Sequence, residues 1–400
     1  MFNPLDSDFI RDPYPTYEQL RATTPLLYLP EQKMWFVSLY EDVNALLRDR
    51  RFGRTMDHIL TREERGLPPK RADLAPFDKL SENSMFDKEP PDHTRLRTLV
   101  HKVFTPRRVE MLRGKIAIIA NDLLDQVADK PVFDLLEDYA TPLPVSVIAE
   151  LLGVPEEDQH YLRPWSQAIV AMYELDHTAE QERLAVQASI DFDRYLRGLF
   201  KERRKNPKDD LITALVQVEE AGDRLTEDEM VSTCILLLNA GHEATVNVIG
   251  NGWRALFHNP DQLNLLYAQP ELIPLAVEEM MRFDVPLQLF RRWVLEDVEY
   301  AGHSFKQGEQ LALLFGSANR DEKQFPNAHR MDITRKENPH ISFSAGIHYC
   351  LGAPLARLEL QVSMQTLLKR FRRLELVEEP TFRPTHVIRG LYDLKVAPLV

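Results

Sequence analysis

Phe343-Ser344-Ala345-Gly346-Ile347-His348-Tyr349-Cys350-Leu351-Gly352 decides how the rest of the chain is read. It holds one of only two cysteines and runs straight into a helical pattern, Ala353-Pro354-Leu355-Ala356-Arg357-Leu358-Glu359. A cysteine at a helix start faces backbone N–H groups without intrahelical partners and the positive end of the helix dipole, and both favour the thiolate. Pro354 suits the first turn, where its missing N–H costs nothing. Gly346 permits a positive φ, and Gly352 lets a large planar group approach the backbone. The stretch therefore presents sulfur as an axial ligand toward something bulky. The plainer reading is a buried structural cysteine in a turn before a helix.

Composition narrows the class. Four hundred residues could make two or three domains, but no Gly/Ser-rich linker divides the chain, and 44% hydrophobic residues can fill one large core. The first 30 residues are polar and broken by proline, with no apolar run long enough for a signal peptide or a membrane span, so a soluble cytoplasmic protein without a membrane anchor is expected. Cys234 and Cys350 are far apart, with no Cys-x-x-Cys pair. That argues against a disulfide framework, a zinc site or covalently attached c-type haem. A net charge of −13 argues against nucleic acid as a partner and makes any basic island informative.

Phe-x-x-Gly-x-His-x-Cys-x-Gly resembles the haem-binding signature of the cytochrome P-450 monooxygenases. The resemblance implies that the Cys350 thiolate is the proximal ligand of a noncovalently bound haem b, with Phe343, His348 and Gly352 around it. It implies a mainly α fold with small β-sheets, a single large domain spanning 1–400 with a long central helix, and no fused reductase domain. Electrons from NAD(P)H would then arrive through a separate ferredoxin or flavodoxin and its reductase, and a monomer is expected. Ser344 and Ala345 depart from close bacterial relatives, where Gly and often His stand, which points to tuning of loop geometry or iron potential.

Before that loop, residues 15–22 read as a helix, 26–29 and 35–38 as paired short strands, and 41–48 as a helix. Residues 53–90 lose periodicity, and a segment that long is functional or disordered; the resemblance makes it the loop over the distal haem face, and places Met85 and Phe86 in the substrate pocket. Pro90-Pro91-Asp92-His93-Thr94-Arg95-Leu96-Arg97 opens a helix with Asp92 placed to cap it. His93 and Arg97 share one face, and the family pattern puts both on a haem propionate. Residues 92–115 also carry Arg95, Arg97, Lys102, Arg107, Arg108, Arg113 and Lys115 against Asp92 and Glu110. In relatives this region contributes to the electron-donor face; the alternative is a solvated helix face. Residues 107–222 read as successive helices without chemistry. There Ile169, Val170, Met172 and Tyr173 either roof the pocket, as in relatives, or pack in the core.

Thr226-Glu227-Asp228-Glu229 has the form of a capping box, and the pattern behind it runs to Phe257. Within this long helix, Ala240-Gly241-His242-Glu243-Ala244-Thr245 resembles the family's oxygen-binding segment, in which an acid followed by an alcohol relays protons. Glu243 holds the acid position, and Ala244 stands where the alcohol belongs. Thr245 does not simply replace it, because one residue along a helix turns the side chain by about 100°. Some macrolide hydroxylases of the family share this alanine, so water- or substrate-assisted proton delivery through Glu243 is expected; a structural acid paired elsewhere is the alternative. His242-Glu243 is not a zinc-protease motif, since Val246 stands where the second histidine would be.

Glu279 and Arg282 lie one turn apart, and with Arg330 they resemble the family's buried ion network. Arg292 aligns with a propionate arginine. The pocket is expected from Leu237, Ala240, Leu287, Leu289, Phe290 and Ile388 besides Met85 and Phe86. These readings together imply a haem-thiolate monooxygenase that inserts one oxygen atom into a C–H or C=C bond of a largely apolar small molecule, such as a fatty acid, terpenoid, steroid or macrolide. The rivals are a same-fold peroxide-driven or coupling oxidase and a non-catalytic haem sensor or carrier.

Overall fold

The structure is a computed structural model, and it describes residues 3, 6–174, 177–218 and 222–399. Its axis is the helix Glu227–His258, 32 residues and so about 48 Å long. Thr226 accepts from the Glu229 N–H while the Glu229 carboxylate accepts from the Thr226 N–H, a reciprocal cap that satisfies two otherwise unpaired donors. Asn259-Pro260 ends the helix, since a proline cannot continue the hydrogen-bond ladder. Most of its length is buried, from Met230 to Leu256, against the helices Pro142–Leu152, Ile273–Phe283 and Ala353–Arg370. A helix apolar on nearly all sides has to be internal, and this one organises the largest core cluster.

A five-stranded sheet lies beside this helical body, in the order Leu26–Leu29, Met34–Val37, Gln310–Leu314, Leu289–Val294, Phe52–Gly53. The strand Leu289–Val294 runs antiparallel to both neighbours, with Phe290 opposite Leu313, Arg292 opposite Leu311 and Gly53 opposite Trp293. Successive side chains of a strand point to opposite faces. Phe290 accordingly joins one apolar cluster with Phe52, Phe305 and Phe315, whereas Leu289 joins another with Phe9, Tyr17 and Leu20. Two smaller sheets follow among the described residues: Phe133–Asp134, Lys395–Pro398 and Leu374–Leu376, and the hairpin Val298–Tyr300 with His303–Phe305.

Two local expectations need correction. Residues 53–90 are not structureless, because Ala75–Glu82 forms a helix with Pro76 in its first turn and Leu80 buried. Prolines and charges on its outer side hide the amphipathic period. Asp92 does not cap the next helix, Asp92–Val103; it is already that helix's first residue, and Pro91 stands at the cap without a side-chain bond. Among the described residues, no helix is long and apolar enough to cross a membrane.

Candidate haem-thiolate site

Cys350 sits at the end of a tight loop that enters the helix Ala353–Arg370. Its N–H donates to the Phe343 oxygen at 2.9 Å, closing the loop on itself. Gly346 has φ +70°, and a Cβ there would run into the backbone oxygen of Leu47, so only glycine fits. At Gly352 a Cβ would meet nothing nearer than the Cys350 sulfur at 3.9 Å, leaving that face of the loop open. Ser344 also has a positive φ, +62°, the conformation that glycine takes freely and serine does not. Burial pushes the Cys350 thiol up, and the N–H groups of Gly352 and Ala353 together with Arg97 and Arg357 only partly offset it. The helix start alone therefore does not supply the low thiol pKa that the sequence suggests.

Arginines and histidines converge around the loop. Arg97 donates from Nη2 to the Tyr349 oxygen at 2.6 Å, one residue before the cysteine. His93 is buried, with its ring centroid 4.4 Å from that of His348. His348 Nε2 lies 3.1 Å from Glu89 Oε1. Arg292 is 1% exposed, donates from Nη1 to the Arg291 oxygen at 3.1 Å, and leaves Nη2 buried without a partner. Burial, then the neighbouring positive charge of Arg54, brings Arg292 down to about 9. Burial, then His348 and Arg97, brings His93 down to about 4. A buried guanidinium with an open donor needs an anionic partner, and a histidine pair beside it can donate to the same anion. The residues present therefore fit a haem, whose two propionates would meet the partnerless Arg292 nitrogen and the histidine pair.

The far side of the site is the middle of the central helix. Ala240 and Ala244, one turn apart, are exposed although the helix around them is mostly buried, whereas Thr245 is 3% exposed. The small residues thus form an accessible stripe, and the Thr245 hydroxyl is turned off it. Glu243 is half-buried; Oε2 lies 3.7 Å from Arg383 Nη1 and Oε1 lies 3.9 Å from His242 Nδ1. Burial raises the Glu243 carboxyl, while Arg383 and Arg163 pull it down. His242 is buried with neither ring nitrogen bonded.

Two ion networks support the loop from behind. Glu279 and Arg282 are wholly buried and doubly hydrogen-bonded, and Arg282 also donates to the oxygens of Asn319, Ala328 and Arg330. The third charged member is Arg335, with Nε 3.3 Å from Glu279 Oε2. Arg330 contributes its backbone oxygen only, and its residue is exposed, which corrects the sequence assignment. The second network had no sequence signal. Arg357 bonds Glu278 with Nε and Nη2 at 2.7 and 2.8 Å, and its guanidinium carbon lies 4.5 Å from the centre of the Phe343 ring.

The basic island is mostly spent on internal pairs: Arg95 with Glu229 and Asp223, Arg108 with Asp209, Arg113 with Glu110 and Lys115 with Glu150. Of the expected pocket residues, Phe86, Leu287 and Phe290 gather in one cluster, and Ile388 bridges Leu287 along the backbone. Met85 and Leu237 lie in the main helical core. Leu289 points to the opposite face of the sheet from Phe290 and is not a pocket residue. Arg54, Glu89, Arg335 and Arg383 enter the site unforeseen, because each is brought in by the chain path and not by a local motif.

Known proteins match this arrangement. The family model described as cytochrome P450 matches residues 23–391. The chain is 39% identical over 407 residues to the polyketide biosynthesis cytochrome P450 PksS of Bacillus subtilis (strain 168), covering 99% of this chain and 98% of the relative. It is 38% identical over 400 residues to 6-deoxyerythronolide B hydroxylase of Saccharopolyspora erythraea, covering 98% of each. The crystal structure of P450BioI in complex with hexadec-9Z-enoic acid ligated acyl carrier protein superposes with a TM-score of 0.91 at 37% identity, covering 98% of this chain and 99% of that one. With the match spanning nearly the whole length and the fold agreeing with it, the chain belongs to the cytochrome P450 family of haem-iron monooxygenases.

Proposed function

We propose that this enzyme inserts one oxygen atom from O2 into a C–H or C=C bond of a long, largely apolar acyl or polyketide-like chain, with NAD(P)H electrons delivered by a separate ferredoxin or flavodoxin. The observation that carries the reading is Arg292, a buried guanidinium that keeps one nitrogen without a protein partner and whose charge acts on His348 of the Cys350 loop. Haem, when bound, supplies the activation of dioxygen, and a thiolate ligand favours O–O cleavage. Cys350 would hold the iron, whose charge keeps a coordinating thiol deprotonated despite burial. His93, Arg97, Arg292 and His348 would hold the propionates, and Phe343 and Gly352 would shape the loop around the sulfur.

Glu243 is the proton carrier in this reading, poised by burial against Arg383 and Arg163. Ala244 brings no hydroxyl, so the last proton donor is water or a group of the substrate itself. Phe86, Leu287, Phe290 and Ile388 form the apolar wall, and a relative named for polyketide biosynthesis and a neighbour in complex with hexadec-9Z-enoic acid ligated acyl carrier protein agree with a chain-like substrate. The test is the absorption spectrum of the dithionite-reduced, carbon monoxide-treated holoprotein beside Cys350→Ser. A strongly red-shifted Soret band in the wild type, lost in the variant, is expected; the same band in both would overturn the assignment of Cys350.

A further inference from the structure

Arg54 follows the edge strand Phe52–Gly53, whose pairing with Trp293 and Val294 brings it against the strand that carries Arg292. Its guanidinium carbon lies 4.2 Å from the Phe86 ring centre and 4.4 Å from that of Phe290. Those two rings meet edge to face at 5.8 Å, so a cation is laid across the rings proposed above as the apolar wall. The side chain is 14% exposed. Its own bonds are few: Nη1 donates to the Arg291 oxygen at 3.2 Å, Nη2 stands 3.5 Å from Asp87 Oδ1, and Nε is buried with no partner.

A guanidinium can donate five hydrogen bonds, and the Arg54 side chain makes two. Of the two acids that act on Arg54, Asp87 meets it at 3.5 Å and Glu89 is engaged elsewhere. Glu89 takes the backbone N–H of Arg54 at 2.5 Å and pairs with His348. Asp87 holds Arg54 by that one long contact, and its carboxyl is raised because burial outweighs the pull of Arg54. The two haem propionates already have His93, Arg97, Arg292 and His348 to meet them, so Arg54 is a cation in excess of what the cofactor needs.

We propose that Arg54 anchors the carboxylate at one end of a long apolar substrate whose chain lies along Phe86, Leu287 and Phe290. The proposal rests on the chain-oxidising reading above and narrows its substrate to chains ending in a free acid. An arginine can meet a carboxylate with two parallel bonds, and in an otherwise apolar wall that contact selects acids over their neutral esters.

The experiment titrates the holoprotein with dodecanoic acid and with methyl dodecanoate, following the haem spin-state shift, in wild type, Arg54→Gln and Arg54→Lys. Haem release to apomyoglobin is measured on all three. Wild type is expected to bind the acid about 10-fold or more tightly than the ester, the size of one charged hydrogen-bonded contact. Arg54→Gln should bring the ratio to within about two-fold and Arg54→Lys should keep part of it, with ester affinity unchanged in both as the sign of an intact fold. An acid-to-ester ratio that survives Arg54→Gln overturns the proposal; if haem release quickens at the same time, the carboxylate held by Arg54 is a propionate. Wild type binding acid and ester alike overturns the anchor and leaves the chain-oxidising reading standing. A wild type that responds to neither overturns both.

Discussion

Glu279 and Arg282 form a doubly bonded ion pair, Nη2 to Oε1 at 2.7 Å and Nε to Oε2 at 2.8 Å, with neither side chain exposed to solvent. The Asp332 N–H and the Asn338 amide complete the carboxylate, and Arg282 passes on to three backbone oxygens that fix the segment leading to the Cys350 loop. Removing one side of such a pair strands the other charge in the core. Arg282→Met should cost about 3–5 kcal/mol, measured by urea unfolding of the holoprotein. Arg335→Ala, which removes the outer cation 3.3 Å away, should cost about 1–3 kcal/mol. Arg330→Ala should stay within about 0.5 kcal/mol, because its side chain is on the surface.

Ser344 offers a gain. It holds φ +62° in the ligand loop, and its hydroxyl is buried without a partner. A left-handed non-glycine residue costs about 1–2 kcal/mol, against which glycine pays a larger entropy loss on folding of about 0.5–1 kcal/mol. Ser344→Gly should therefore raise stability by up to about 1 kcal/mol, seen as a higher Tm. A lower Tm would mean that the serine makes a contact worth more than its strain.

Glu359 is fully buried in the helix behind Cys350, with Oε1 unbonded, and burial raises its carboxyl well above the ordinary value. The folded state then binds a proton that the unfolded state releases near pH 4.3. The sign follows: its contribution is fully present below the unfolded value and is lost as pH rises toward the raised folded value. Glu359→Gln keeps the shape and removes the titration. The variant should gain on wild type progressively from about pH 4.3 upward, measured as the difference in unfolding free energy across a pH series. Parallel curves would show that Glu359 is ionised in both states.

What the sequence disclosed was local. The Thr226–Glu229 cap, the Cys350 loop and the Glu279–Arg282 spacing each sit within ten residues, so their geometry follows from helix and turn rules. What it hid depended on the path between elements. Arg335 and Arg330 cannot be told apart without knowing how the segment after Arg320 folds back on Glu279. Leu289 and Phe290 are equally apolar, and only the strand register shows that one faces away. Arg54 and Arg383 reach the site across more than two hundred and more than one hundred residues from Phe290 and Glu243, and no spacing rule spans such distances.

The central helix gives the most direct functional prediction. Ala244 lies on the accessible stripe and Thr245 does not, so the two positions should behave differently although their order reads like a swapped pair. Thr245→Val should change turnover by less than about two-fold, since its hydroxyl is off the stripe. Glu243→Gln removes the proton carrier proposed here and should lower turnover by about 10²-fold or more. Arg383→Gln removes a cation 3.7 Å from Glu243, which raises that carboxyl further and should move the alkaline limb of turnover to higher pH. Ala244→Thr adds a hydroxyl where the proposed reading has water or substrate serve, and should change the product formed per oxygen consumed, most of all with substrates that lack a hydroxyl of their own. Rate and yield both unchanged in Ala244→Thr would sink the assisted-delivery reading and return Glu243 to the part of a buried acid paired with Arg383.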